Sequence, residues 1–257
     1  MNGLRSALVL LSIYPVKIRD LATFSYRNGL PFYGWAGLLV ALPVFLLVMF
    51  LQYSVAASAL ALMALAVSTI ITRMMHWDGL ADAADAWWGG ATIERRLEIM
   101  RDSSTGAFAI ITLVIVAMGT YLALERVIIT KHFLVLLVVP MLARLVVVVA
   151  VRYQTPAKDT GLAAQLAGTL PHGGRAVLFS SLLVALLFAA MTTGFAGVVA
   201  GLLTLVFGLW IARIIARRMG GLTGDVLGAT IALTEFLGYC VFMILTTSQL
   251  SAPIILS

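Results

Sequence analysis

The sequence predicts an all-α integral membrane protein that crosses the bilayer with about seven helices. Charged residues make up 11% of the 257 residues and apolar residues 62%, whereas an ordinary soluble domain has about 25% charged residues. The mean hydropathy is +1.07. The apolar runs continue for about twenty residues, which is typical of membrane-spanning helices and unlike the alternating segments of a transmembrane β-barrel.

The first element is an apolar run from Ala7 to Pro15 that follows Arg5. It is too short to span a bilayer, and no small-residue cleavage site follows it. We therefore expect an interfacial or re-entrant helix rather than a signal peptide. Seven predicted spans follow, at about residues 34–55, 57–74, 106–126, 132–151, 176–193, 195–215 and 228–249. We expect residues 1–257 to form a single transmembrane helical domain.

Basic residues lie almost entirely on one side of the predicted bundle. Fourteen of the 17 Lys and Arg residues fall in the N-terminal segment, in the connections after the second, fourth and sixth spans, or at the adjoining helix ends. These segments share one side of the membrane, which we call the basic side. The positive-inside rule assigns the basic side to the cytoplasm. The net charge of +6 therefore follows from topology and does not indicate a nucleic-acid partner.

Acidic residues are concentrated on the same side. Nine of the 11 Asp and Glu residues fall there, although carboxylates contribute little to membrane orientation. The connections on the opposite side are much shorter. We therefore expect a reaction or binding surface on the basic side, formed by residues 75–105, 152–175 and 216–228.

The first candidate motif contains His76 followed by three aspartates, Asp78, Asp82 and Asp85. Their spacing of i, i+4 and i+7 puts all three carboxylates on one face of a helix, where like charges repel one another. A divalent cation would reverse this repulsion, and Mg²⁺ is bound by carboxylates together with substrate phosphates. A solvated helix end is the alternative for the aspartates, and an interfacial histidine is the alternative for His76.

The second motif runs from Thr92 to Gly106 and predicts an amphipathic helix on the membrane surface, with Thr92 as its N-cap. Its apolar stripe comprises Ile93, Leu97 and Met100. It ends in Asp102-Ser103-Ser104-Thr105-Gly106, whose hydroxyls and backbone N–H groups could bind an anion at the start of the next span. A plain connector with a solvated face is the alternative for the first part of the motif.

The third motif is a glycine-rich segment before the last span, with four glycines and Asp225 between Arg217 and Gly228. Such a loop lets the backbone approach a phosphate closely, and Asp225 is placed to hold a metal or a hydroxyl. A glycine-rich turn between two helices is the alternative.

Two charged residues, Arg144 and Glu235, lie within predicted spans. Ionisable residues inside a membrane are candidate functional residues. An ion pair between these two side chains would explain both equally well, and the sequence leaves the two interpretations open.

Together the three motifs indicate a Mg²⁺-assisted transfer at a phosphate or diphosphate, because this chemistry depends mostly on positioning and charge neutralisation. The sequence contains no nucleophile triad, P-loop or dinucleotide-binding fingerprint.

The same motifs closely resemble those of the cobalamin (5′-phosphate) synthase family, the adenosylcobinamide-GDP ribazoletransferases. The resemblance covers Asp78-Gly79-Leu80-Ala81-Asp82 with Asp85, the run Glu98–Gly106, the run Gly220–Ala229, the opening Ser12–Val16 and Gly37. It departs from the family at Ala86, where the family has Gly, and at Ser104, where the family has a basic residue. The resemblance implies an inner-membrane enzyme of late cobalamin (vitamin B12) biosynthesis that requires Mg²⁺. Such an enzyme joins adenosylcobinamide-GDP to α-ribazole or its 5′-phosphate and releases GMP.

The resemblance also implies roles for individual residues. The implied metal ligands are Asp78, Asp82, Asp85 and Asp225, and either Asp82 or Asp102 is the general base. The candidate substrate-binding residues are His76, Arg101, Ser103, Gly106, Arg144, Gly221, Thr223, Gly224 and Glu235. The ribose 3′-hydroxyl of α-ribazole would attack the phosphorus next to the aminopropanol arm. The oligomeric state stays open, with a homo-oligomer as one option.

Two alternative functions also remain open. The first is a Mg²⁺-dependent membrane transferase of the CDP-alcohol or prenyl type. The CDP-alcohol pattern has Arg where Asp82 stands, and the prenyl pattern has two Asp-rich motifs rather than one. The second is a transporter that uses Arg144 and Glu235 as an ion path, which would need paired broken helices in mid-membrane.

Overall fold

The computed structural model describes residues 2–17, 24–102 and 104–247. Within them, the chain forms eleven α-helices and one 3-10 helix (Tyr26–Phe32), and no β-strand. The helices are α1 (Asn2–Leu11), α2 (Tyr33–Leu51), α3 (Ala57–Ile71), α4 (Met75–Gly89), α5 (Ile93–Ile99), α6 (Ala107–Ile129), α7 (Val135–Tyr153), α8 (Leu162–Leu166), α9 (Gly174–Thr193), α10 (Phe195–Met219) and α11 (Gly224–Thr247). The predicted all-α fold is confirmed.

Six helices are long and apolar enough to cross a membrane by themselves, namely α2 with the preceding 3-10 helix, α6, α7, α9, α10 and α11. Helices α3 and α4 form a bent pair with an angle of 88° between them, which counts as a seventh crossing if the pair is one broken span. Helix α3 has 15 residues, which cover about 22 Å at 1.5 Å per residue, less than a hydrocarbon core of about 30 Å. The predicted span over residues 57–74 is therefore a short helix that ends at a sharp bend.

The bend between α3 and α4 contains two non-glycine residues with positive φ, Arg73 at 56° and Met74 at 57°. This left-handed conformation costs roughly 1–2 kcal/mol per residue. The N-terminal helix packs against the bend. The Arg73 guanidinium donates to the carbonyl oxygens of Val9 (2.8 Å) and Leu10 (3.0 Å), which lie in the last turn of α1. These two hydrogen bonds connect α1 to the turn that sets the direction of α4.

Helix α7 lies at the centre of the bundle, and nearly all its side chains from Val135 to Val151 are buried. Glycines allow its neighbours to approach closely, as is usual between membrane helices. A methyl group at Gly37 of α2 would lie 2.6 Å from the carbonyl oxygen of Pro140. One at Gly238 of α11 would lie 2.9 Å from the Val139 side chain.

The connections on the basic side are shorter than the sequence suggested. Helix α10 continues to Met219 and α11 begins at Gly224, so four residues join them and Asp225 lies in the first helical turn. The amphipathic helix is α5, seven residues long. The Thr92 hydroxyl accepts from the Arg95 backbone N–H at 3.2 Å, which confirms the predicted N-cap. Arg96, only 5% exposed, donates to the Arg218 carbonyl oxygen at 3.0 Å and ties α5 to α10.

Candidate active site

Helix α4 carries the three aspartates of the first motif, as the spacing predicted. Asp78 is exposed and Asp82 and Asp85 are half-buried, whereas the small residues between them are buried against the bundle. The buried small residues are Gly79, Leu80, Ala81, Ala83, Ala84 and Ala86. One face of α4 therefore packs on the bundle while its edge displays carboxylates.

Glycines bring α4 against the start of α11. A methyl group at Gly79 would lie 2.7 Å from the carbonyl oxygen of Asp225, and one at Gly228 would lie 3.1 Å from the carbonyl oxygen of Met75. Any larger side chain at Gly79 would push the two helices apart. The first and third motifs, far apart in the sequence, thus meet through backbone contact.

This packing surrounds Asp82 with negative charge. Partial burial, followed by the nearby carboxylates of Asp225, Asp78 and Asp85, raises the pKa of Asp82 to about 6 from an ordinary value of 3.8. Asp82 therefore lies at the centre of an acidic cluster that we define as Asp78, Asp82 and Asp225. Its carboxylate can exchange a proton near neutral pH.

Asp85 has a structural partner. Its two carboxylate oxygens accept from the backbone N–H groups of Gly106 (2.6 Å) and Ala109 (2.9 Å) at the start of α6. A carboxylate at a helix N-terminus satisfies free donors and interacts favourably with the helix dipole. The Gly106 N–H, expected to bind a substrate anion, therefore binds a protein carboxylate, and the metal role of Asp85 stays a prediction.

The second motif also contains the predicted site residues Asp102 and Ser103. Asp102 is exposed, and its side chain accepts from the Ser104 N–H at 3.0 Å, which lowers the pKa of Asp102. Asp102 is not among the carboxylates that raise the pKa of Asp82. Ser103 lies outside the described residues.

His76, Arg144 and Glu235 lie inside the bundle and line one small cavity of about 30 Å³. Arg144, 1% exposed, forms an ion pair with the Glu235 carboxylate and donates to the Pro140 carbonyl oxygen at 3.2 Å. This is the ion pair that the sequence left open as one of two interpretations, and the substrate-binding role of the two residues stays a prediction. His76 is 3% exposed, and its Nε2 has no hydrogen-bond partner in the described part of the chain. A polar cavity of this size can hold water.

A larger cavity of about 280 Å³ opens beside Asp225. Its wall includes two cations, Arg101 and Lys158, together with polar groups at the start of α11. The predicted binding residues Thr223 and Gly224 line it, along with Thr160, Gly161, Leu162, Ala163, Leu222, Leu97 and Met100. The Thr223 hydroxyl accepts from the Val226 N–H at 3.1 Å and so caps α11.

Lys158 and Thr160 were not recognised in the sequence as site residues. They reach the cavity because the chain after α7 pairs with the α10–α11 connection. The Ala157 N–H donates to the Leu222 carbonyl and the Leu222 N–H donates to the Thr155 carbonyl, both at 2.9 Å. Gly221 permits this contact, since a methyl group there would lie 2.5 Å from the Ala157 nitrogen. The available signal in the sequence was a lysine within the expected segment 152–175.

The donor set fits Mg²⁺ shared with a substrate rather than a closed protein cage. Within the described ranges, no three His, Cys, Asp or Glu side chains are arranged to hold a metal by themselves. Mg²⁺ is usually bound by one or two carboxylates plus waters and substrate phosphates. The acidic cluster, whose member Asp225 lines the larger cavity, supplies carboxylates of this kind.

Comparison with known proteins matches the chain to a family. The family model described as Cobalamin-5-phosphate synthase matches residues 3–243. The chain belongs to the cobalamin-5-phosphate synthase family. A relative described as adenosylcobinamide-GDP ribazoletransferase from Pseudomonas fluorescens (strain Pf0-1) is 35% identical over 235 residues, covering 89% of this chain and 93% of that protein.

Two further relatives carry the same description. One from Chlorobium chlorochromatii is 35% identical over 239 residues (91% of this chain, 93% of that protein). One from Prosthecochloris aestuarii is 33% identical over 248 residues (95% and 98%). No solved structure matches the chain. In this member of the cobalamin-5-phosphate synthase family, the structure thus brings the first and third motifs together. It places Arg144 and Glu235 at the small cavity inside the bundle.

Proposed function

We propose that the chain is an adenosylcobinamide-GDP ribazoletransferase. It joins adenosylcobinamide-GDP to α-ribazole or α-ribazole 5′-phosphate, and it releases GMP. The observation that carries this proposal is the packing of Gly79 on Asp225, which assembles an acidic cluster whose member Asp225 lines a cavity together with two cations. Diphosphate chemistry needs these two features, because it depends on positioning the phosphates and neutralising their charge.

Asp82 is the general base in this proposal. The acceptor's ribose hydroxyl oxygen forms a bond to the phosphorus that carries the aminopropanol arm, and its proton passes to the Asp82 carboxylate. The bond from that phosphorus to the bridging oxygen breaks, and GMP leaves with the electron pair. Asp82 lies beside Asp78 and Asp225, and partial burial together with their charges raises its pKa in the metal-free protein, whereas Asp102 is exposed and has a lowered pKa.

Asp78 and Asp225 are the proposed Mg²⁺ ligands, which leaves Asp82 free to accept the proton. When bound there, Mg²⁺ would neutralise negative charge on the diphosphate. Asp85 is a weaker candidate, because both its oxygens already accept hydrogen bonds from α6. Arg101, on the cavity wall, would balance charge on the leaving GMP.

The proposed location is a bacterial-type inner membrane with the basic side in the cytoplasm. The six apolar helices and the bent pair make the chain a multi-pass membrane protein. The positive-inside rule supports the orientation, and nucleotide substrates are cytoplasmic metabolites. Within the described residues there is one bent helix pair, whereas the transporter alternative would need two.

The deciding experiment measures GMP released by purified, detergent-solubilised protein. We expect GMP and cobalamin product when adenosylcobinamide-GDP, α-ribazole and Mg²⁺ are all present, and none when any one is omitted. Parallel reactions with α-ribazole 5′-phosphate establish which acceptor is preferred. Absence of product from monodisperse protein with both acceptors would contradict the proposal and favour another diphosphate substrate at the same site.

A further inference from the structure

Lys158 is held at the cavity wall by a backbone contact rather than by its own side chain. The residue follows Thr155–Ala157, which pairs with Leu222 through two hydrogen bonds of 2.9 Å. This isolated bridge joins Pro156 to Leu222 in parallel orientation. The side chain is half-buried and lines the 280 Å³ cavity. The long-range pairing with Leu222 therefore places Lys158 on the same cavity as Asp225.

Two cations line this cavity, and neither forms an ion pair with the Asp225 carboxylate that lines it as well. Arg101 arrives from the connection after α5, and Lys158 from the connection after α7. Neither forms an ion pair within the residues that the structure describes, where the ion pairs are Arg95–Glu98 and Arg144–Glu235. Asp225 is near enough to interact with Lys158 electrostatically, but the two charges are not in contact.

A cavity with two unpaired cations on its wall is suited to an anion. Lysine binds phosphate as a point charge and arginine binds it through its planar fork. The Thr160 and Thr223 side chains, which also line the cavity, add hydroxyl groups. The volume of about 280 Å³ is far larger than a water site and accommodates a phosphate with part of the group attached to it.

We propose that Lys158, together with Arg101, binds a phosphate group of a substrate in this cavity. The inference rests on the proposed function only for the identity of that substrate. The phosphate could be part of the donor's diphosphate or the 5′-phosphate monoester of the acceptor. Both sources present the same chemistry to the cavity, and kinetics distinguishes them.

The first test is binding, without turnover. Inorganic pyrophosphate is titrated into detergent-solubilised wild-type protein, Lys158→Gln and Lys17→Gln, with affinity measured calorimetrically. Lys17 is an exposed lysine on the same basic side, so its variant controls for the loss of one positive charge. We expect Lys158→Gln to weaken binding about tenfold to a hundredfold, as expected for a charge-assisted hydrogen bond, and Lys17→Gln to leave it unchanged. Equal affinity for wild type and Lys158→Gln would overturn the inference.

The second test assigns the source of the phosphate. Lys158→Gln is expected to raise KM for one substrate with a smaller change in kcat, and Lys158→Arg to restore much of the loss. If KM rises for α-ribazole 5′-phosphate but not for α-ribazole, the phosphate in the cavity is the 5′-phosphate monoester of the acceptor. If KM rises for adenosylcobinamide-GDP with either acceptor, the phosphate in the cavity belongs to the diphosphate of the donor. An unchanged KM for every substrate would contradict the inference.

The two proposals fail separately. If wild-type protein makes no GMP, the proposed function fails, but pyrophosphate binding and its loss in Lys158→Gln still support an anion site at Lys158. If wild-type protein makes GMP and Lys158→Gln retains every wild-type constant, the inference fails and the proposed function stands. Should Lys158→Gln not yield monodisperse protein, Lys158→Met removes the same charge and provides the same comparison.

Discussion

Gly79 of α4 lies directly against the backbone of Asp225 at the start of α11, so closely that a methyl group would be 2.7 Å from the Asp225 carbonyl oxygen. The glycine inside the acidic motif is therefore a packing residue. Its missing side chain allows two segments that are distant in the sequence to present their carboxylates at one place. The acidic cluster exists because these two helices touch.

Gly79→Ala should separate α4 from α11 and disperse the acidic cluster. The added methyl group meets backbone atoms, which cannot move aside as a flexible side chain can. We expect a lower melting temperature and at least about a tenfold loss of GMP release, because displaced catalytic groups lower the reaction rate by such factors. The control is Gly89→Ala on the same helix, where the nearest atom is the flexible Ile99 Cδ1 at 3.3 Å. Wild-type activity in Gly79→Ala would show that this contact is not required.

Asp82→Asn should strongly reduce activity while stabilising the protein at alkaline pH. Because the folded-state pKa of Asp82 is about 6 against an ordinary 3.8, folding disfavours its ionised form. The destabilisation is complete above pH 6 and disappears as pH falls toward 3.8. In Mg²⁺-free buffer the variant should therefore have a higher melting temperature than wild type at pH 8. This difference in melting temperature should be smaller at pH 5.

We expect the activity of Asp82→Asn to fall about a hundredfold or more, as for loss of a general base. Glu98→Gln is the matched control, because Glu98 is exposed and pairs only with Arg95 across one helical turn. A fully active Asp82→Asn would remove Asp82 from the proposed mechanism. A pH-independent melting difference would contradict the raised pKa.

Asp85→Ala should destabilise the protein because it leaves two N–H groups of α6 without their acceptor. Loss of a capping side chain costs about 0.5–2 kcal/mol. Asp85→Asn, which retains one carbonyl oxygen, should lose less. Thermal melts of the two variants in detergent test this order. If Asp85→Ala has wild-type stability but needs much more Mg²⁺ for activity, Asp85 is a metal ligand rather than a helix cap.

Arg144 and Glu235 should be strongly coupled in a double-mutant cycle. Removing either partner leaves a buried charge unpaired and costs about 3–5 kcal/mol, whereas replacing both with apolar residues costs much less. The variants are Arg144→Met, Glu235→Leu and the double replacement, followed by chemical denaturation in detergent. GMP release by the double variant would show that the pair is structural. A folded but inactive double variant would indicate that Arg144 and Glu235 bind substrate.

Met74→Gly should stabilise the bend between α3 and α4. Met74 has φ of 57°, which a glycine adopts without the cost that a side chain imposes. We expect a gain of up to about 1 kcal/mol. Met63→Gly in the middle of α3 is the control and should lose about 1 kcal/mol, because a glycine there disfavours the helix. A loss of stability in both variants would show that the Met74 side chain matters more than its backbone conformation.

Helical periodicity and hydropathy were sufficient to predict the six long apolar helices, the shared face of Asp78, Asp82 and Asp85, and the Thr92 cap. Each of these depends on residues within a few turns of one another. The pairing of Arg144 with Glu235 was one of two interpretations that the sequence left open, because a charge inside a membrane either needs a partner or has a function.

The sequence by itself determined that the chain crosses a membrane with helices and that its carboxylates lie on the basic side, since composition and local spacing govern both properties. The tertiary structure decided which carboxylates act together. Asp85 faces the α6 N-terminus, Asp225 joins Asp78 and Asp82, and Lys158 reaches the same cavity through the pairing of residues 155–157 with Leu222. These outcomes depend on contacts between segments far apart in the chain, and no local pattern encodes the distance of closest approach between two helices.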